Sequence, residues 1–78
     1  MRLLKLPQVL DLTATSRTTH YSNIKTGLMT APVPLGVHSV AWPEHEISQL
    51  IAARIAGKSD EEIRQIVRDM MSKRGSLL

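Results

Sequence analysis

Apolar positions along this chain change period as they run. Leu6, Val9, Leu10 and Thr13 fall at helical spacing around Pro7, a residue that suits the first turn of a helix. Thr13-Ala14-Thr15 reads as a turn. Ser16 then caps a second helix, its hydroxyl accepting from the Thr18 or Thr19 N–H, and that helix runs from Arg17 to about Thr26. Gly27 ends it. The prolines at 32 and 34 exclude a helix there. Val33 and Leu35 alternate instead, as do Val40 and Trp42, with Gly36 to Ser39 turning between them. This pattern predicts a small two-stranded hairpin.

Pro43 opens a third helix, with Glu44 and Glu46 well placed for its dipole and Ile47, Leu50, Ile51 and Ile55 as its apolar face. Gly57 ends it. Ser59 and Glu62 form a capping box for a fourth helix. Ile63, Ile66, Val67, Met70 and Met71 give that helix the clearest amphipathic stripe in the chain. Gly75 stops it, and the last three residues are expected to fray. The predicted fold is mainly α with a small β-hairpin wing. It is a winged helix-turn-helix over residues 1–57, with an amphipathic helix and short tail over residues 58–78.

The 78 residues hold one Tyr, one Trp, no Phe and no Cys, so an aliphatic core between helices has to carry the fold. Without Cys there is no disulfide framework and no thiolate metal site. Lys5, Pro7 and Asp11 interrupt the N-terminal leucines too often for a signal-peptide core. No apolar run approaches the roughly 18 residues of a membrane span. A soluble, cytoplasmic protein is expected.

Charge sharpens this reading. Residues 1–42 carry Arg2, Lys5, Arg17 and Lys25 against Asp11 alone, while cations and acids balance over residues 43–78. The whole surplus of +3 lies in the half with the helix-turn-helix pattern. A one-sided basic excess suits a polyanion, although three charges also fit an ordinary solvated surface. Glu44-His45-Glu46 lacks credible metal spacing. No nucleophile, base and orienter set is present, so neither enzyme activity nor a cofactor is expected.

The order and spacing of several segments carry a closer resemblance. Arg2-Leu-Leu-Lys-Leu-Pro-Gln-Val-Leu10 leads to Thr13 and Ser16-Arg-Thr-Thr-His-Tyr21. Lys25-Thr-Gly27, Pro32-Val-Pro-Leu-Gly36, Val40-Ala-Trp42, Glu46-Ile47 and Ile51-Ala-Ala-Arg54 follow. Together they resemble the AlpA-type family of prophage regulators, with its MerR-like DNA-binding domain, over roughly residues 2–57. The resemblance implies a double-stranded DNA binder of a prophage or integrated element. It would act as an excisionase, as a transcriptional regulator of integrase genes, or as both, with a phage-type integrase as possible partner and the nucleoid as its place. The chain departs from the family at His20, where an aliphatic residue is usual, and at Ser22, where a basic one is. Leu28, Ala31, Pro34 and His38 leave the loop and wing less basic than usual.

On the second helix Arg17, Thr18, Tyr21, Ser22 and Lys25 share one face, with Thr19 beside them. Arg17 can pair with guanine O6 and N7, and Thr18 can meet a thymine methyl or a phosphate. Tyr21 and Lys25 are candidates for phosphates, which set register only; Tyr21 alternatively packs onto the wing. His38 and Ser39 at the wing tip are candidates for the minor groove, or are simply solvated. Trp42 reads as a core plug beneath the wing, and His20 as a partly buried histidine.

One protomer neutralising about 4 phosphates loses about 100-fold in affinity between roughly 50 and 200 mM salt. A single module buries only about 600–1,000 Å² on DNA. A second copy would therefore help, and the stripe Ile63, Ile66, Val67, Met70 and Met71 is the candidate contact. The same stripe alternatively folds back onto the third helix. A different functional class also fits the thinned basic residues: a degenerated winged helix that binds a repressor or integrase through its C-terminal helix.

Overall fold

The computed structural model describes residues 1–77. Trp42 lies at its centre, fully buried, on β3 (Val40–Pro43). Its indole N–H donates to the buried Thr30 carbonyl at 2.9 Å, so the polar edge of the ring is satisfied without water. β3 pairs antiparallel with β2 (Val33–Pro34) on one side and with β1 (Leu3–Leu4) on the other. The wing is thus part of a three-stranded sheet in the order β1-β3-β2, where a two-stranded hairpin was expected. β1 has two residues, too few to show a period of two, and only its pairing with Trp42 and Pro43 makes it a strand. β2 stops at Pro34. Leu35 belongs to the turn, closed by its N–H on the Ser39 carbonyl at 2.8 Å.

The helices follow the predicted order: α1 (Leu6–Thr13), α2 (Arg17–Lys25), α3 (Glu44–Ile55) and α4 (Asp60–Lys73), with a 3-10 turn over Arg74–Leu77. Between α1 and α2 the chain turns at Ala14, which takes the left-handed conformation at φ 55°. Its N–H and that of Thr15 satisfy the Asp11 and Leu10 carbonyls, the usual way to end a helix, though commonly with glycine. The Ser16 hydroxyl accepts from the Thr19 N–H at 3.1 Å and starts α2. The Ser59 and Glu62 capping box starts α4. The Ser59 N–H and hydroxyl hold the Glu62 carboxyl below the usual carboxylate range.

Val9, Trp42, Ile47, Leu50, Ile63 and Val67 form the middle of one continuous core. Full burial of each such side chain is worth about 1.5–3 kcal/mol. Residues on both sides of position 57 contribute to it, so α4 completes the core of the helix-turn-helix. Ile63, Val67 and Met70 are buried within the chain, Ile66 is half-buried, and Met71 is exposed.

The buried face of α3 differs from the predicted stripe. It comprises Glu46, Ile47, Leu50 and Ala53, with Ile51 half-buried and Ile55 exposed. α4 covers one flank of α3, which turns the core-facing side toward Ala53. Ile55 sits at the end of the helix, before Gly57 (φ 76°) redirects the chain. Glu46 does more than meet the helix dipole. It is buried and receives a bidentate pair from Arg74, at 2.9 Å from Nε and 2.7 Å from Nη2. The same Nη2 donates to the Ala31 carbonyl at 2.7 Å, tying the end of the chain to the root of the wing.

Candidate nucleic-acid interface

α2 has little apolar surface with which to hold itself in place. His20 is its one buried residue, and Ile24 is half-buried. The His20 ring meets Trp42 edge-on with centroids 4.8 Å apart and Tyr21 at 5.4 Å. Among the described residues neither ring nitrogen, both buried, has a hydrogen-bond partner. Burial lowers the imidazole pKa below its ordinary value, so His20 acts as an aromatic plug. It is more completely buried than the sequence suggested.

Polar groups at both ends complete the placement of α2. Ser16 caps the start. At the far end the Arg64 Nε of α4 donates to the Thr26 carbonyl at 2.8 Å, and the Arg64 stem lies over Gly27, which has φ 82°. A cation at a helix C-terminus meets the negative end of the dipole and satisfies an orphan carbonyl. α4 thereby helps to orient α2.

The outward face of α2 consists of Arg17, Thr18, Tyr21, Ser22 and Lys25, all exposed, with Tyr21 leaning on His20. Thr19 is also exposed, but its N–H and hydroxyl are engaged by Ser16, so it serves the cap. Among the described residues, Arg17 and Lys25 make no ion pair or hydrogen bond through their side chains. By contrast Arg2, Lys5, Arg54, Lys58, Arg64, Arg68 and Arg74 each bind a partner inside the chain. α2 itself contains no acid. Lys25 in its last turn suits the dipole, whereas Arg17 in its first turn opposes it.

The wing tip carries His38, exposed, and Ser39, half-buried. The Ser39 hydroxyl is taken by the Lys5 ammonium, which reaches it from the N-cap of α1. Lys5 counts in the basic surplus of residues 1–42, but its place at the wing does not follow from the sequence. It lies 34 positions from Ser39, and only the β1–β3 pairing brings the two together. Among the described residues no group of His, Cys, Asp and Glu could hold a metal ion. No helix among them is long and apolar enough to cross a membrane.

The family pattern described as Prophage CP4-57 regulatory protein (AlpA) matches residues 2–55. The chain belongs to the AlpA family of prophage regulatory proteins. It is also 40% identical over 57 residues to the uncharacterised protein ORF88 of Enterobacteria phage P4. That match covers 73% of this chain and 65% of the phage protein's length. No solved structure matches the chain. The AlpA match ends at Ile55, with α3, so Arg64 and Arg74 lie beyond it. In this AlpA chain the supports of α2 and of the wing root come partly from outside the family segment.

Proposed function

We propose that this AlpA-family protein binds double-stranded DNA in a sequence-specific manner through the outward face of α2. In this reading it serves a prophage or integrated element as excisionase, as transcriptional regulator of integrase genes, or as both. The observation that carries the reading is the state of Arg17 and Lys25. They stand exposed on one face of a helix without acids and, among the described residues, unpaired, while the cations elsewhere are engaged. Arg17 even opposes the dipole of its own helix. An external polyanion supplies the charge that the chain withholds. Arg17 reads a base edge, Thr18 and Ser22 contact the groove wall, and Tyr21 and Lys25 meet phosphates. Lys5 adds a positive charge beside Ser39 and His38 at the wing. The protein works in the cytoplasm, at the nucleoid, with a phage-type integrase as the partner of its excisionase role.

The second reading is a protein-interaction module working through α4. It finds less support, because Ile63, Val67 and Met70 are consumed by the chain's own core. Contact through α4, with an integrase or a second copy, has Met71 and the edge of Ile66 to use. Mobility-shift titration of wild type and Arg17→Ala on the attachment site and integrase promoter tests the proposal. Arg17→Ala should lose about 1–3 kcal/mol on the preferred site and little on random DNA. Equal, weak binding to every duplex by both proteins would sink sequence-specific reading by α2.

A further inference from the structure

Little outside α2 fixes its tilt. His20 is its one buried residue. The bonds at its two ends are local: the Thr19 N–H donates to Ser16, and the Gly27 and Leu28 N–H groups donate to the Ile24 and Asn23 carbonyls. Among the described residues, a single hydrogen bond ties the stretch from Ser16 to Gly27 to another element. It runs 2.8 Å from the Arg64 Nε of α4 to the carbonyl of Thr26, the C-cap residue of α2. The two residues stand 38 positions apart in the chain.

Ile63 and Val67 flank Arg64 on α4 and are buried in the core, which fixes its backbone. Its stem passes Gly27 so closely that an added Cβ there would meet Cγ at 3.5 Å. Glu61, one turn earlier, faces Nη1 at 3.7 Å. The guanidinium thus turns its charge to an acid and its Nε–H to the end of α2. Leverage follows from helix geometry. Thr26 lies six residues past His20, about 9 Å along the axis, and Arg17 lies three residues before it, about 4.5 Å. With His20 as pivot, a shift of about 1 Å at Thr26 moves Arg17 by about 0.5 Å. A bidentate contact has to be held within about that margin.

We propose that Arg64 is a positioning residue for DNA reading: its bond to Thr26 sets the tilt of α2 and thereby the place of Arg17 against a base edge. The inference rests on the reading that α2 recognises DNA. Arg64 acts through this bond and not through a phosphate, since Glu61 already faces its guanidinium. The AlpA match ends at Ile55, so site choice depends on a residue outside the family segment. Residue 64 can therefore change the preference for a sequence while every side chain of α2 stays the same.

Two neutral replacements separate the bond from the charge. In Arg64→Gln the side-chain N–H group takes the position of Nε and can still donate to Thr26, whereas Arg64→Met has the same reach and no donor. Both lose the cation alike. Wild type, both variants, Arg17→Ala and the double variant Arg17→Ala with Arg64→Met are titrated on a duplex that wild type enriches from a randomised pool. The same proteins are titrated on random duplexes, at several salt concentrations. Urea unfolding followed by the buried Trp42 verifies that each is folded in the assay. Arg64→Met should lose about tenfold in preference for the enriched duplex over random DNA. Arg64→Gln should stay within about twofold of wild type, and in the Arg17→Ala background Arg64→Met should cost less than about twofold, because the contact it positions is gone. Preference retained by Arg64→Met overturns the proposal, while a loss in Arg17→Ala alone still upholds reading by α2. Equal losses for Arg64→Gln and Arg64→Met overturn it too, and a salt slope flatter by about 0.9 in both would make Arg64 a phosphate contact instead. If wild type enriches no sequence, or Arg17→Ala prefers that sequence as strongly, reading by α2 falls and the proposal with it.

Discussion

Replacing Arg74 by methionine removes the counter-charge of a buried carboxylate while keeping most of the side-chain volume. Glu46 is 1% exposed, and the two oxygens of its carboxylate accept from the Arg74 guanidinium at 2.9 and 2.7 Å. Breaking a buried pair from one side costs about 3–5 kcal/mol, because the remaining charge has neither water nor partner. The lost bond to the Ala31 carbonyl adds about 1 kcal/mol at most, and not additively. A domain of this size has about 4–12 kcal/mol in total. Arg74→Met should therefore cost about 3 kcal/mol or more, a large share of the fold. Urea titration followed by the single tryptophan, Trp42, reads this directly. With a slope of about 1–2 kcal/mol/M, the midpoint should fall by about 1.5–3 M. The apolar double replacement Glu46→Leu with Arg74→Met should return to within about 1 kcal/mol of wild type, since no charge is then left buried. A loss below about 1 kcal/mol for Arg74→Met would refute the reasoning, as would a double variant no more stable than the single one.

Acid should loosen the seat of α2. Burial lowers the His20 pKa, so the unfolded chain takes the proton first, and stability is complete only above about pH 6.5. It falls as pH drops through that value, by up to about 1.4 kcal/mol per unit. Urea titrations at about pH 7.5 and 5.5 should show a larger loss for wild type than for His20→Leu, and equal losses would exclude His20 as the cause. Gly27→Ala should cost about 1 kcal/mol from its positive φ alone, since a Cβ there meets Arg64 Cγ at an ordinary 3.5 Å; an unchanged melting midpoint would contradict this. If Lys25 meets a phosphate, Lys25→Ala should flatten the slope of log affinity against log salt by about 0.9, whereas parallel lines would remove it from the interface.

The helices and the wing were legible because local signals agree: Ser16 and Ser59 at caps, Gly27 and Gly57 at ends, and Pro32 and Pro34 where a helix is impossible. What escaped depends on partners distant in the chain. β1 is a strand only through β3. Lys5 joins the wing only through the same pairing. Glu46 read as a dipole partner because Arg74 lies 28 positions away. Ile55 fits the spacing of the predicted α3 stripe, but spacing cannot show that α4 takes up the Ala53 side and leaves the last turn uncovered.

The residues of the candidate interface were nameable from sequence for a different reason: a helix face follows from spacing alone. Their electrostatic state did not follow, because pairing depends on which acids the fold brings near. The fold spends its acids elsewhere. Glu44, Glu46, Asp60, Glu61 and Glu62 each face a cation of the sheet edge or the C-terminal half, and none reaches α2. Glu46, Asp60, Glu61 and Glu62 pair within residues 43–78, and Glu44 crosses to Arg2. Arg64, Arg68 and Arg74 take up local acids, and among the described residues Arg17 and Lys25 make no side-chain ion pair, the state that the proposed DNA contact calls for.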